Sequence, residues 1–568
     1  MKLSEALRIV NGPAPVAGPP LTAALACGFT PLHLCTFLEA QLRLRNPDRR
    51  VSIDAGLYGD AAGNVERLRD RPGGPAALVL EWPDFDPRLG LRDGEGVFPD
   101  DLPDVAARVA ASAARVGRAV ATASARRVVA VALPTLPLVR LSPLPGWLSG
   151  PFETRLEGEL ASLAERLAGL PTVRLIGRAS LDAASPVAGR RDVRAELAHG
   201  FPYSLPHASA LARMIAQAVA PSTPKKGLIT DLDGTLWKGV LGDDGPDGVS
   251  WDPENQSRAH ALYQQALASL ARSGVLIGVA SKNDRAAVDA AFRRPDLVLR
   301  PGMVYPVEAH WGPKSQSVAR ILAAWNVGAG DVVFVDDSPM ELAEVRRAFP
   351  EMECLAYPGD DAGVFAFVEG LRDTFGRMRV SDEDRVRLSS LRQSRPVAGV
   401  DHDGLLRDAN AEITFDFDAR PPDPRALELV NKTNQFNLNG RRFGESDWLA
   451  LNDTPGRFLG LVSYADRFGR LGKVSVLGGR VVGETLYVDV WVLSCRAFSR
   501  RIEHQCLRHL FDRFGASTLV FDLVETPQNG PLREFFAGMK TGPVVHRRAF
   551  EDCCPPLHHA VREPVHDS

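Results

Sequence analysis

Three apolar runs in the middle of the chain, "KGLIT" (226–230), "VLIGVAS" (275–281) and "DVVFVDD" (331–337), alternate with the helical patterns "RAHALYQQALASLARSG" and "PMELAEVRRAF". Runs this short and this apolar, set between amphipathic helices, fit strands covered on both faces, as in a doubly wound parallel sheet. Each run also ends in residues that carry chemistry. The first leads into Asp231 and Asp233, the second ends in Ser281 followed by Lys282 and Asn283, and the third ends in Asp336 and Asp337. In an open α/β sheet, ligands bind beyond the C-terminal ends of the strands, so the topology alone gathers these groups at one place. Lys314, in "HWGPKSQS", adds a cation to the same region.

Two ionised carboxylates one residue apart repel each other, and hard oxygen ligands favour Mg2+ as the counter-ion. Such a cation also neutralises a phosphoryl group, which lets one carboxylate attack phosphorus while the other exchanges protons. An Asp-x-Asp-Gly turn that merely caps backbone groups is the bland alternative. The hydroxyl, amide and ammonium at the other strand ends weigh against it. Asp231, Asp233 and Asp336 are the expected metal ligands, with Asp337 a further carboxylate beside them, and Thr235, Ser281, Lys282 and Asn283 are the expected phosphate contacts. The short intervals between Asp231, Ser281 and Lys314 leave no room for a sizeable cap domain, so the phosphate site is expected to be open to a bulky or tethered substrate.

At 568 residues the chain is too long for one core. Residues 1–222 read as α/β, with strand-like "VSIDAGLYG", "AALVLEW", "RRVVAVALP" and "TVRLIG" and the helical "RLEGELASLAERLAGL". The Ala/Arg/Pro-rich stretch from 100 to 150 looks compositional rather than functional. "VAPSTPKKG" is a linker signal, and the doubly wound unit follows over 223–385. Residues 400–555 read as α+β, with consecutive strands joined by Gly-rich turns and then the helical "RIEHQCLRHLFDRFG". A net charge of -3 gives no reason to expect nucleic acid, and no apolar run is long enough for a membrane span or signal peptide, so a cytoplasmic protein is expected. Seven cysteines, an odd number without paired spacing, argue against a disulfide framework and a structural zinc site, and Cys27, Cys35, Cys354 and Cys506 read as core residues.

Cys495 differs from the other cysteines. In "YVDVWVLSCRAFSRRIEHQCL" it stands where a strand gives way to a helix, followed by Arg496, Arg500 and Arg501. A helix start and nearby guanidinium groups favour the thiolate, although a buried strand-end cysteine fits the local chemistry equally well. His504 lies about two turns away, which suits a packed histidine better than a base.

The order Asp-x-Asp-Gly-Thr, Ser, Lys, Asp-Asp resembles the haloacid-dehalogenase-like (HAD-like) phosphatase superfamily over roughly 226–370. That resemblance implies Asp231 as nucleophile, Asp233 as general acid/base, Ser281 as phosphate clamp, Lys314 as charge stabiliser and Asp336 as metal ligand. "DLDGTLWKGVLGDDG", "NKTNQFNLNGRRF" and "LSCRAFSRRIE" together resemble FkbH-like proteins over nearly the whole chain. The resemblance implies an enzyme that takes the glyceryl group of D-1,3-bisphosphoglycerate onto Cys495. The enzyme then removes phosphate and loads the phosphopantetheine thiol of an acyl carrier protein for polyketide extender units. Asn434, Gln435 and Arg496 are then expected to contact substrate or carrier arm. The same resemblance makes the C-terminal domain GNAT-like, without the Gly-rich CoA turn. The N-terminal domain resembles an SGNH-hydrolase-type α/β unit that has "ACGFTPLHL" in place of a nucleophile block and is expected to be inactive. Two readings stay open beside this one: a phosphatase of another phosphorylated or carrier-tethered acyl substrate fused to an acyltransferase, and a non-catalytic carrier-docking scaffold.

Overall fold

The computed structural model of the chain describes all residues except 14–17, 71–72, 93–100, 140–143, 378–401, 418–422, 468, 495–496, 499, 527, 540 and 565–568. It is a mixed α/β structure built on three sheets and divides into two compact units. No helix among the described residues is long and apolar enough to cross a membrane.

The first unit comprises Met1–Ser222 together with Arg442–Arg457. Its five strands, β1 (Leu21–Cys27), β2 (Val51–Ala55), β3 (Ala76–Val79), β4 (Val129–Ala132) and β5 (Val173–Leu175), form a parallel sheet in the order β2-β1-β3-β4-β5. Helices Leu32–Arg45 and Leu205–Val219 cover one face through Phe37, Leu38, Leu211 and Ile215. Helices Leu102–Ser124 and Pro151–Ala168 cover the other through Val109, Val116, Leu160 and Leu163. Burial on both faces explains why β3 and β4 are apolar at every position. The longest of these helices, Leu102–Ser124, lies in the Ala/Arg/Pro-rich stretch and faces its valines to the core. Residues 442–457, expected in the third domain, group instead with this unit. Helix Glu445–Asn452 is tied in by Arg49–Asp447 (2.6 Å) and Arg174–Glu445 (2.6 Å) ion pairs.

Beyond the C-terminal ends of β3 and β4 lies a buried polar layer with its hydrogen bonds made. Glu81 accepts from the Thr135 and Leu136 amides, the Thr135 hydroxyl and the Tyr203 hydroxyl. The His207 ring bridges Thr135 Oγ1 and Ser185 Oγ, each at 2.9 Å. Burial, aided by Arg190, pushes the His207 imidazole down to about 3. An unfolded chain takes up that proton near pH 6.5, so the stability held by neutral His207 is full above that pH and is lost as pH falls towards 3. Relative to His207→Gln, the wild type should therefore lose on the order of 2–4 kcal/mol between pH 7 and pH 4. Denaturant midpoints of the first unfolding transition at several pH values measure this. The buried acids Glu81 and Asp84 titrate in both proteins and cancel in the comparison.

The second unit comprises Thr223–Arg441 and Phe458–Ser568 and holds the other two sheets. Strands β6 (Gly227–Thr230), β7 (Leu276–Ser281), β8 (Val304–Ala309), β9 (Val332–Asp336) and β10 (Glu353–Ala356) are parallel, in the order β10-β9-β6-β7-β8. From β6 the chain steps outward through β7 to β8, then returns to β9 on the opposite side, so the connections diverge between β6 and β9. That divergence is the crevice where ligands bind in sheets of this kind.

The third sheet is mixed, in the order β16-β15-β14-β13-β12-β11-β17. Its strands are β11 (Glu412–Asp416), β12 (Arg457–Asp466), β13 (Gly469–Val482), β14 (Thr485–Leu493), β15 (Thr518–Phe521), β16 (Val544–His546) and β17 (Ala560–Arg562). Helix Ile502–Phe514 packs Cys506, Leu507 and Leu510 against it.

Candidate active site

Asp231 follows β6 directly and Asp336 closes β9, so the two carboxylates flank the crevice between neighbouring strands. A backbone hydrogen bond from the Asp231 amide to the Val335 carbonyl (2.9 Å) locks that register. Lys314 opens helix Lys314–Trp325 and reaches both acids, with its Nζ 2.8 Å from Asp231 Oδ1 and 2.5 Å from Asp336 Oδ2. All three are buried. Burial pushes the Asp231 carboxyl up to about 7, with Lys314 pulling down and Asp336 pushing up. Asp336 is raised by burial too, against the same Lys314 pull. Although burial opposes its charge, Lys314 is held above the usual lysine range by the two carboxylates.

Asp231, Asp336 and Asp337 each offer an oxygen, and these oxygens lie within 4.8 Å of one another. Three carboxylates against one ammonium leave a charge of −2 on hard oxygen donors, which fits one divalent cation of the Mg2+ type. Gly234 lets this happen. It adopts φ +66°, and a Cβ there would stand 2.5 Å from Asp337 Oδ2, so only glycine admits that carboxylate.

Asp233 was expected among the metal ligands but is not in this acidic group. Its Oδ1 accepts from Trp237 Nε1 (2.8 Å) and the Leu241 amide (3.1 Å), and its Oδ2 from Asn283 Nδ2 (2.9 Å). Asp337, the second aspartate of "VVFVDDSP" and the further carboxylate expected beside Asp336, completes the group. Ser281 and Asn283 are buried beside one another, with Asn283 Nδ2 donating to Ser281 Oγ at 3.0 Å, so Asn283 links the end of β7 to Asp233. Lys282 pairs with Glu341 (2.7 Å). Thr235 is fully buried and its hydroxyl has no partner among the described residues, while its carbonyl lies 3.0 Å from His260 Nδ1. The His260 ring stacks on Tyr357 at 5.3 Å, and this support behind the Asp-Gly-Thr turn had no signature in the sequence.

Cys495 and Arg496 lie outside the described residues. In the chain around them, β14 ends at Leu493 and the following helix does not begin until Ile502, with Arg501 before it at φ +57°. Arg501 is committed to Asp403 and the Pro556 carbonyl. The His504 ring meets Phe535 edge-on at 4.9 Å, and burial pushes it down to about 4. Gln435 exchanges two side-chain amide hydrogen bonds (2.8 and 2.6 Å) with Asn326, the residue that ends the Lys314 helix. Asn434 precedes it in the same loop. Asn437 holds that loop's own backbone through Thr433 and Gly440.

No protein-family model matches the chain, and no curated protein sequence matches it. Among solved structures, the N-terminal part of the protein BF1531 from Bacteroides fragilis is similar at 20% identity and a TM-score of 0.51, over 67% of this chain and 100% of that one. That protein contains a phosphatase domain and was crystallised in complex with Mg. At this identity the likeness establishes a shared fold. An uncharacterized protein from Corynebacterium glutamicum also aligns (25% identity, 27% of this chain and 98% of that one), but its TM-score is only 0.20. A GCN5-related glucosamine N-acetyltransferase region of a fungal multi-domain GH3 β-N-acetylglucosaminidase reaches 0.15 (12% identity, 94% of this chain and 65% of that one). Neither score establishes a common fold.

Proposed function

We propose that the second unit is a Mg2+-dependent HAD-like phosphatase acting from Asp231, coupled to glyceryl transfer through Cys495. The observation that carries the phosphatase half is the cluster of Asp231, Asp336 and Asp337 around buried Lys314 at the switch point of the sheet. The fold shared with a phosphatase-domain protein crystallised with Mg supports it. The transfer half rests on the resemblance to FkbH-like proteins, as do the acyl-carrier partner, the bisphosphoglycerate donor, and the GNAT-like and SGNH-like character of the outer domains.

Asp231, Asp336 and Asp337 would hold the cation, which offsets the charge of an incoming phosphoryl group. Asp231 attacks phosphorus, the phosphorus–oxygen bond to the leaving group breaks, and the leaving oxygen takes a proton from Asp233. Water then attacks the aspartyl-phosphate and returns a proton to Asp233, releasing phosphate and restoring Asp231. Lys314 holds Asp231 in place, and Ser281 presents its hydroxyl to a phosphate oxygen. Asp233 Oδ2 accepts one hydrogen bond, from Asn283, so a lone pair on it is left to carry that proton. For the transfer half, the Cys495 thiolate attacks the acyl carbon of 1,3-bisphosphoglycerate. Phosphate leaves, and the resulting thioester exchanges onto the carrier thiol.

Intact-mass spectrometry after incubation with 1,3-bisphosphoglycerate and Mg2+ tests the proposal. The expected result is an adduct of glyceryl mass that Cys495→Ser abolishes. Phosphate release with no adduct would leave a phosphatase of another substrate, and neither event would leave a carrier-docking scaffold.

A further inference from the structure

The groups that would meet a phosphoryl oxygen are sunk in the protein: Asp231 is 6% exposed, Lys314 4% and Ser281 2%. The residues just outside them are the reverse. Trp311, three positions before Lys314, is 73% exposed, and Met340, three positions after Asp337, is 72% exposed. Val240, whose neighbour Leu241 donates to Asp233, is 48% exposed. Each belongs to a segment leaving the C-terminal side of the sheet, beyond β8, β9 and β6 in turn. With strands spaced roughly 4.8 Å apart, β8 and β9 lie about 14 Å apart across β7 and β6, with Asp231 between them.

The turn that carries Trp311 is pinned. The His310 amide donates to the Ser281 carbonyl (3.2 Å), tying the turn to the end of β7. His310 Nδ1 accepts from the Gly312 amide at 2.9 Å, and its Nε2 lies 2.8 Å from Ser317 Oγ on the Lys314 helix. Met340 stands in the first turn of helix Pro339–Ala348, behind the Ser338 cap. An indole and a thioether held in water on these supports leave apolar surface unburied, which contact with a ligand covers.

We infer that Trp311 and Met340 are substrate-specificity residues: the phosphoryl group enters the buried acidic site while an extended organic group lies across these two side chains. This selects phosphomonoesters that continue as an apolar or flat chain beyond the phosphorylated carbon, over small polyol phosphates. The inference rests on the phosphatase reading. Within that reading, a phosphorylated three-carbon acid held as a thioester carries such an extended chain beyond its own carbons.

The test compares hexylphosphonate with methylphosphonate by isothermal titration calorimetry on the full chain with Mg2+, alongside hydrolysis of hexyl and methyl phosphate. The wild type should bind the hexyl ligand about tenfold or more tightly than the methyl one. Trp311→Ala should cut that ratio about threefold or more and leave methylphosphonate binding unchanged, with Trp311→Phe retaining most of the preference. For hexyl phosphate, Trp311→Ala should raise KM and leave kcat unchanged. A wild-type ratio near one, an equal loss for both ligands in Trp311→Ala, or no binding of either phosphonate would overturn the inference. Phosphonate binding with the expected ratio but no hydrolysis of either ester would sink the phosphatase reading and leave the rim assignment standing.

Discussion

Asp231→Asn should abolish Mg2+-dependent phosphate release, with a loss on the order of 10^3-fold or more, and at the same time make the metal-free protein more stable. The activity loss follows from removing the atom that attacks phosphorus, which no neighbouring group replaces at the end of β6. The gain in stability follows from charge. Without a cation, Asp231 and Asp336 share one buried ammonium and Asp337 adds a third negative charge beside them. Asparagine keeps the shape, removes one charge, and leaves Lys314 and Asp336 as a one-to-one pair. Differential scanning fluorimetry should show the metal-free variant melting about 2–4 °C above the metal-free wild type. Millimolar Mg2+ should raise the wild-type transition by mass action and leave the variant where it is. A variant that is inactive but still stabilised by Mg2+ would place the cation elsewhere.

The part of this site legible in the sequence is the part written as strand ends. β6, β7 and β9 are short apolar runs broken by polar residues, so the alternation with helices both predicts the parallel sheet and gathers Asp231, Ser281 and Asp336 at one end of it. The edge strands of this sheet, β8 and β10, were not legible. β8 reads "VYPVEA", with a proline, a glutamate and mostly half-buried positions, and β10 begins on exposed Glu353. β1, "LTAALAC", is rich in alanine and lacks the branched residues that mark a strand, yet it pairs with both β2 and β3 near the middle of its sheet. That Asp233 stands outside the acidic group could not be read from spacing. It depends on donors supplied by Trp237, Leu241 and Asn283 and on the left-handed turn at Gly234, all of which are set by tertiary packing. Gln435 illustrates the same limit. An amide-rich loop is equally able to bind a ligand or clasp a neighbouring helix, and here Gln435 clasps Asn326.

Lys314→Met should be the most destabilising single change at the site in the absence of metal. The methionine preserves the length of the aliphatic stem, so the packing of helix Lys314–Trp325 survives and the effect isolates the charge. What is left is Asp231 and Asp336 buried side by side with no counter-ion, and stripping one partner from a buried pair costs about 3–5 kcal/mol. Urea unfolding of the metal-free protein, followed through the transition of the second unit, should therefore move to lower midpoint, with the first-unit transition unchanged. Mg2+ should restore much of the loss, because a divalent cation replaces the missing positive charge for the same carboxylates. Phosphate release, by contrast, should stay at least about 10^2-fold down at saturating Mg2+, since the ammonium that fixes Asp231 for attack is gone. Lys314→Arg keeps the charge on a bulkier, planar head, so it should recover stability more than activity. If Lys314→Met unfolds at the wild-type midpoint without metal, the lysine is not the counter-ion of this pair, and the charge argument for a divalent cation at Asp231, Asp336 and Asp337 falls with it.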